Sequence, residues 1–151
     1  MIIFHLCQCW GGRSLEPIVR SRVVDLNKHY FMGDYRKLLA FEKGFALAME
    51  IYELTKEFPK EERYSLIDQI RRSSRSVCTN MVEAYKRRRY KDYFVSKLND
   101  CQTENAETQV WLDFSLACNY ITKEKYQELT AKNDEVGKLV WYMINNPGKF
   151  L

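Results

Sequence analysis

The chain has 151 residues, 46% of them hydrophobic and 29% charged, with a formal net charge of +4. This length fits one domain with a sizeable core. Only 6 glycines and 3 prolines punctuate it, which argues against a turn-rich all-β protein and predicts long helices.

Residues 1–33 differ in character from the rest of the chain. Met1 to Trp10 is apolar but lacks a basic stretch and a small-residue cleavage site, so we do not predict a signal peptide. We expect residues 1–33 to be a poorly ordered or mis-annotated extension, with Met32 as an alternative start. His5, Cys7 and Cys9 form only a weak metal-site pattern. We therefore predict no bound metal and no cofactor.

Helix A is predicted from about Tyr35 to Glu57, with Asp34 as its N-cap. A seam of alternating spacings of three and four defines its expected core face: Leu38, Phe41, Phe45, Ala48, Tyr52 and Thr55. Pro59 should stop this helix, because the residue before a proline is disfavoured in helical conformation.

Helix B is predicted as one long helix within Phe58 to Tyr93, starting behind Pro59. Its core face consists of apolar and small residues with helical spacing: Leu66, Ile70, Ser73, Val77, Met81 and Ala84. At 100° per residue the opposite side carries a basic stripe: Arg71, Arg72, Arg75 and Lys86. The following residues form a basic cluster: Arg87, Arg88, Arg89 and Lys91.

Several residues of helices A to C, in order, resemble a known family. The string Phe58-Pro59-x-Glu61-Glu62-Arg63 is followed by Arg71-Arg72-Ser73-Ser74, Asn80, Glu83 and Glu107-Thr108-Gln109-Val110-Trp111-Leu112. Together they resemble the four-helix-bundle proteins encoded in intervening sequences of large-subunit ribosomal RNA genes. Accessory proteins of diversity-generating retroelements form a related group. The resemblance covers roughly Tyr35 to Asn146 and implies self-association into a ring of five. Ala84 departs from it, since many members have glycine there.

Helix C is predicted from about Lys91 to Asn119, and its seam places Asn105 in the core: Phe94, Leu98, Cys101, Asn105, Thr108, Leu112 and Ser115. Asp100, Glu104 and Glu107 line one face, where pairing with arginines is expected rather than metal binding. Helix D should begin after the N-cap Thr122 and end at Asn146-Pro147-Gly148. Its seam is Tyr126, Leu129, Asn133, Val136, Val140 and Met143.

These elements predict an all-α, up-down-up-down antiparallel four-helix bundle over residues 34–146, followed by a short tail at 147–151. The last histidine is His29, so the predicted bundle has no histidine base and catalysis is not expected. The five cysteines form no zinc pattern and fit a reducing cytoplasm. No apolar run is long enough to span a membrane.

The positive charge is concentrated in one part of the sequence. Residues 71–91 carry eight basic side chains and one acidic one, whereas residues 92–151 carry six basic and nine acidic ones. Such a patch is typical of a surface that contacts RNA or DNA phosphates without reading sequence. The alternative is a protein-interaction scaffold, such as an accessory subunit of a reverse transcriptase, whose basic face docks an acidic partner or the next subunit.

Overall fold

The computed structural model describes residues 34–151, which contain four α-helices. Their bounds are α1 Leu39–Leu54, α2 Leu66–Lys86, α3 Lys91–Ala117 and α4 Lys123–Asn145. Each helix packs against the next, and α1 also packs against α4, which closes an antiparallel bundle. The predicted all-α fold is therefore confirmed. The predictions for residues 1–33, including His5, Cys7, Cys9 and Met32, lie outside the described residues.

The first predicted helix begins later than its sequence pattern indicates. Tyr35–Lys37 form a 3₁₀ turn, and the Asp34 side chain accepts a hydrogen bond from the backbone N–H of Arg36 at 3.1 Å. Leu38 is extended, with φ −72° and ψ 120°, so α1 starts only at Leu39. Asp34 thus caps the preceding turn and not the α-helix.

The predicted seam of this helix is wrong at Phe45, whereas Ala48 and Thr55 are buried and Leu38, Phe41 and Tyr52 are half-buried. The buried residues of α1 are small or aliphatic: Ala40, Gly44, Leu47, Ala48 and Ile51. A Cβ at Gly44 would lie 3.5 Å from Cys78 Sγ and 3.7 Å from a Val136 methyl group, so α1 packs closely on its neighbours here. The bulky Phe45 cannot enter so narrow a space and is 53% exposed.

The helix predicted to begin directly after Pro59, at Lys60, also begins later, at Leu66. Lys60–Tyr64 form a short 3₁₀ helix, and Ser65 at φ −120° and ψ −104° separates it from α2. The Glu62 carboxylate accepts hydrogen bonds from the Ser65 hydroxyl and from the Leu66 N–H, which otherwise lacks a helical partner. The Tyr120 hydroxyl donates to the same carboxylate at 2.9 Å. These bonds, that from Ser65 foremost, hold the pKa of Glu62 below its usual value.

The core faces of the other three helices agree with prediction. All six predicted core residues of α2 and all seven of α3 are buried, as are five of the six predicted for α4; Tyr126 is half-buried. Thr122 caps α4 by accepting from the Lys125 N–H at 3.2 Å. Beyond α4, Pro147–Lys149 form a 3₁₀ turn and Phe150 stacks on Phe94 with ring centroids 6.3 Å apart.

Candidate nucleic-acid interface

A basic groove runs along the outer side of α2 where it meets the end of α1. Its volume is about 810 Å³. Six cationic side chains line it, with Asp68 as the only carboxylate among the lining residues: Lys56, Lys60, Arg63, Arg71, Arg72 and Arg75. We call this surface the basic groove. Because its walls are helices and a 3₁₀ turn of one closed bundle, its cations are held at a fixed spacing and produce a concentrated positive potential.

Tyr52 organises the inner wall of the basic groove. The guanidinium carbons of Arg71 and Arg75 lie 4.7 and 5.5 Å from the centroid of its ring, and Lys56 Nζ lies 4.7 Å from it. Cations are attracted to the electron-rich face of an aromatic ring within about 6 Å. One half-buried ring therefore contacts three cations, of which Lys56 is also paired with the Glu53 carboxylate at 2.6 Å.

The three arginines predicted on the stripe of α2 have different environments. Arg71 is half-buried, and its Nε donates to the Thr55 hydroxyl at 2.7 Å while Nη2 donates to the Tyr52 carbonyl at 3.3 Å. Arg72 and Arg75 are exposed. Arg71 thus fixes the end of α1, whereas Arg72 is open to solvent and Arg75 is exposed while its guanidinium group contacts the Tyr52 ring.

Arg72 also borders the acidic face of α3. Burial and the neighbouring Glu107 raise the pKa of Glu104, and the positive charge of Arg72 acts in the opposite direction. Asp100 instead pairs with Lys97 of its own helix, whose Nζ lies 3.2 Å from the carboxylate, and within residues 34–151 no arginine forms an ion pair with this acidic face. Residues 34–151 contain no group of side chains arranged to hold a metal ion.

A second basic surface, which we call the turn cluster, lies at the connection between α2 and α3. It contains Lys86, Arg87, Arg88, Arg89 and Lys91. Arg88 donates to the Tyr85 carbonyl at 2.9 Å and stacks on the Tyr85 ring, so it caps the C-terminus of α2. Arg87 covers the ring of Tyr93 at 4.6 Å. Lys86, Arg87, Arg89 and Lys91 are exposed.

The basic residues of segment 71–91, which are close together in the sequence, lie on two separate surfaces in the structure. Arg72 and Arg87 are 15 residues apart, a separation of about 22 Å along a helix. Arg71, Arg72 and Arg75 belong to the basic groove, and Lys86 to Lys91 belong to the turn cluster. The stripe therefore supplies two separate basic surfaces near the two ends of α2.

Sequence reasoning missed Lys56, Lys60 and Arg63, which belong to the groove although they precede α2. It also missed Tyr64, which lines the same groove and is 87% exposed. Pro59 was the signal in the sequence that could have revealed these residues. The chain must reverse direction around Pro59 before the next helix starts, so the residues just after Pro59 are expected to lie beside α2.

An apolar groove adjoins the basic groove along the contact between α1 and α2, and Arg75 and Thr79 line both grooves. Its volume is about 530 Å³, and Phe41, Phe45, Met49 and Val82 contribute much of its apolar lining. Phe45 is 53% and Met49 is 42% exposed. The sequence pattern assigned two of these side chains, Phe41 and Phe45, to the core.

Two of the three cysteines within residues 34–151 do not resemble reactive cysteines, and the third, Cys118, is exposed. Cys78 and Cys101 are buried, and burial raises the pKa of Cys78 to about 11 and that of Cys101 to about 12. A reactive cysteine needs a lowered pKa and access to solvent. None of the helices within residues 34–151 is long and apolar enough to cross a bilayer.

The fold and surface define a small all-α four-helix-bundle protein with a basic groove. Residues 36–141 match the family described as 23S rRNA-intervening sequence protein, and the chain belongs to that family. The predicted resemblance to proteins of ribosomal RNA intervening sequences is therefore confirmed. The relationship to the accessory proteins of retroelements stays a prediction.

A solved relative has the same fold. It is a protein of unknown function from the S23 ribosomal protein family of Bacteroides thetaiotaomicron VPI-5482, with 28% sequence identity and a TM-score of 0.62. The match covers 70% of this chain and 98% of the relative. No curated protein matches the chain.

Proposed function

We propose that this protein is a non-enzymatic, self-associating RNA-binding protein of the cytoplasm that contacts phosphates without reading sequence. The observation that carries the proposal is the basic groove, where six cationic side chains and one carboxylate line a concave surface of about 810 Å³. Phosphate contacts by lysine and arginine supply most of the affinity of non-specific nucleic-acid binding.

The family name supports RNA over DNA as the partner, because it associates the members with 23S rRNA. The turn cluster provides a second contact surface about 20 Å farther along α2. A long anion can engage both surfaces, whereas a small acidic ligand can occupy only one. The spacing thus favours a polyanion.

Self-association would place several copies of both basic surfaces on one particle. The apolar groove supports this part of the proposal, because exposed Phe45 and Met49 gain by leaving water. Repeated weak contacts around one oligomer add up to strong binding.

The test is RNA binding by the full chain, measured by fluorescence anisotropy across a salt series. Two matched triple variants remove three charges each: Lys60→Gln with Arg63→Gln and Arg72→Gln in the groove, and Arg87→Gln with Arg88→Gln and Arg89→Gln in the turn cluster. For a protein that contacts phosphates, log K falls linearly with log salt, by about 0.7 to 0.9 per neutralised phosphate. We expect each triple variant to reduce the slope by about 2.

Circular dichroism and the oligomer mass establish that both triple variants remain folded. If the folded wild-type protein binds no RNA at low salt, the proposal is wrong, and the basic surfaces belong to a contact with protein. The scaffold function would then be the better interpretation.

A further inference from the structure

Tyr64 occupies a place in the basic groove that stability does not explain. It ends the 3₁₀ helix Lys60–Tyr64, directly after Arg63, and its side chain is 87% exposed. Among residues 34–151 it takes part in none of the aromatic pairs, cation–π contacts or side-chain hydrogen bonds. An aromatic ring left open to solvent between cations is free to accept a planar group.

The neighbouring ring, Tyr52, is in the opposite situation. Its face is already in contact with Lys56, Arg71 and Arg75. Tyr52 therefore arranges the cations of the groove, and Tyr64 is the ring among the groove residues that remains open. The two tyrosines therefore have different roles: Tyr52 positions the cations that would bind phosphate, and Tyr64 provides a surface for stacking.

The dimensions of the groove favour a single strand. Its α2 wall extends from Ile67 to Thr79, which corresponds to about 18 Å of helix. A stacked strand rises about 3.4 Å per nucleotide, so the groove accommodates about five nucleotides. Double-stranded RNA is instead recognised by shape over about 16 base pairs, and its paired bases offer no face to a tyrosine.

From this geometry we propose that the basic groove binds unpaired RNA, with Tyr64 stacking on a base and Lys60, Arg63, Arg72 and Arg75 contacting the phosphates on either side. The inference rests on the proposed RNA-binding function and assigns its substrate class. Alternation of cations with an accessible aromatic ring is the arrangement by which proteins hold single strands without sequence preference.

The experiment compares binding of the full chain to a 15-nucleotide oligo(U) and to a blunt-ended RNA duplex of 15 base pairs, each followed across a salt series. The variants are Tyr64→Ala, Tyr64→Phe and Trp141→Ala. Trp141 is the control because it is an aromatic side chain on α4, 55% exposed, and belongs to neither basic surface. Since Tyr64 is so exposed, its removal leaves the core intact, and circular dichroism checks this directly.

We expect Tyr64→Ala to weaken oligo(U) binding about 5- to 140-fold, from about 1 to 3 kcal/mol per stacked base at 1.4 kcal/mol per tenfold change. The salt slope should stay unchanged, because no phosphate contact is lost. Tyr64→Phe keeps the ring and should bind within about twofold of wild type, and so should Trp141→Ala, which leaves both basic surfaces intact.

Three other outcomes would overturn the inference, and they are distinguishable. If Tyr64→Ala binds oligo(U) like wild type with the same salt slope, the stacking assignment is wrong while phosphate-based RNA binding stands. A preference for the duplex over oligo(U) would overturn the choice of unpaired RNA in the same way. If the wild-type protein binds neither RNA, the proposed RNA-binding function is itself wrong.

Discussion

At the scale of single residues, the most informative pair in the core is Asn105 on α3 and Asn133 on α4. Each side-chain amide donates to the backbone carbonyl of the other residue, at 3.2 and 3.0 Å. Both side-chain oxygens are buried without a hydrogen-bond partner within the described chain. Polar residues in such positions fix the register of neighbouring helices at a cost in stability.

Gly137 leaves the space in which Asn105 and Asn133 form their hydrogen bonds. A substitution at Gly137 should therefore change the stability of the protein. A Cβ at Gly137 would lie 3.0 Å from Asn105 Nδ2. Gly137→Ala should therefore displace the amide and lose much of the gain of about 1 kcal/mol that alanine brings to a helix interior. In an Asn105→Ala background the obstacle is absent, and the full gain should appear.

Urea unfolding of the two single variants and the double variant measures this coupling. We expect an interaction free energy of about 0.5 kcal/mol or more, as is usual for residues in contact. Additive effects of the two changes would show that the amide does not oppose a side chain at position 137.

At the scale of elements, the connection between α1 and α2 depends on Arg71. Its guanidinium bonds to the Thr55 hydroxyl and to the Tyr52 carbonyl at the C-terminal end of α1. The last carbonyls of a helix lack helical partners, and a cation there is also favoured by the helix dipole. Arg71 thus ties two helices together, although it lies on the same stripe as the exposed Arg72.

This difference predicts that Arg71 contributes mainly to stability and its neighbour Arg72 mainly to RNA binding. Arg71→Ala should lower the free energy of unfolding by about 2 kcal/mol, since hydrogen bonds from a charged group contribute about 1.5 to 3 kcal/mol. Arg72→Ala should change it by less than about 0.5 kcal/mol and should instead weaken RNA binding at low salt.

Thermal and urea unfolding, together with RNA titration, check both statements. Arg71→Lys is a useful addition, because lysine keeps the charge but cannot reach both acceptors with the same planar group. Equal effects of Arg71→Ala and Arg72→Ala on stability would contradict the assigned roles.

At the scale of the whole molecule, the apolar groove predicts that the chain assembles with copies of itself. Light scattering should give a mass well above the 18.1 kDa of one chain, and the family resemblance implies a fivefold multiple. Phe45→Glu should reduce the mass to that of a monomer, because a carboxylate would be buried without a partner at the contact.

Ala46→Glu is the matched control, since it adds the same charge on an exposed position of α1 one residue away. It should leave the mass unchanged. A wild-type chain that is monomeric at the concentrations used for RNA binding would contradict self-association.

The sequence by itself determined the bundle and most of its core. Periodic burial on α2, α3 and α4 was predictable because one helix face must be apolar wherever it packs, and Thr122 and Pro147 mark the ends of α4 by local chemistry. The same reasoning found Arg71, Arg72 and Arg75, since residues spaced by three or four share a face of a helix.

Only the tertiary structure decided which of two sets of apolar residues on α1 faces the core, the set with Ala40, Gly44 and Leu47 or the set with Phe41 and Phe45. Two lines of helical spacing compete there, and the close approach of α2 and α4 at Gly44 selects the smaller residues, which leaves Phe45 outside. The structure also joined Lys60, Arg63 and Tyr64 to the arginines of α2, because the break at Ser65 turns the chain back along the helix. Contacts of this kind depend on how the chain reverses direction, which periodicity within one helix does not encode.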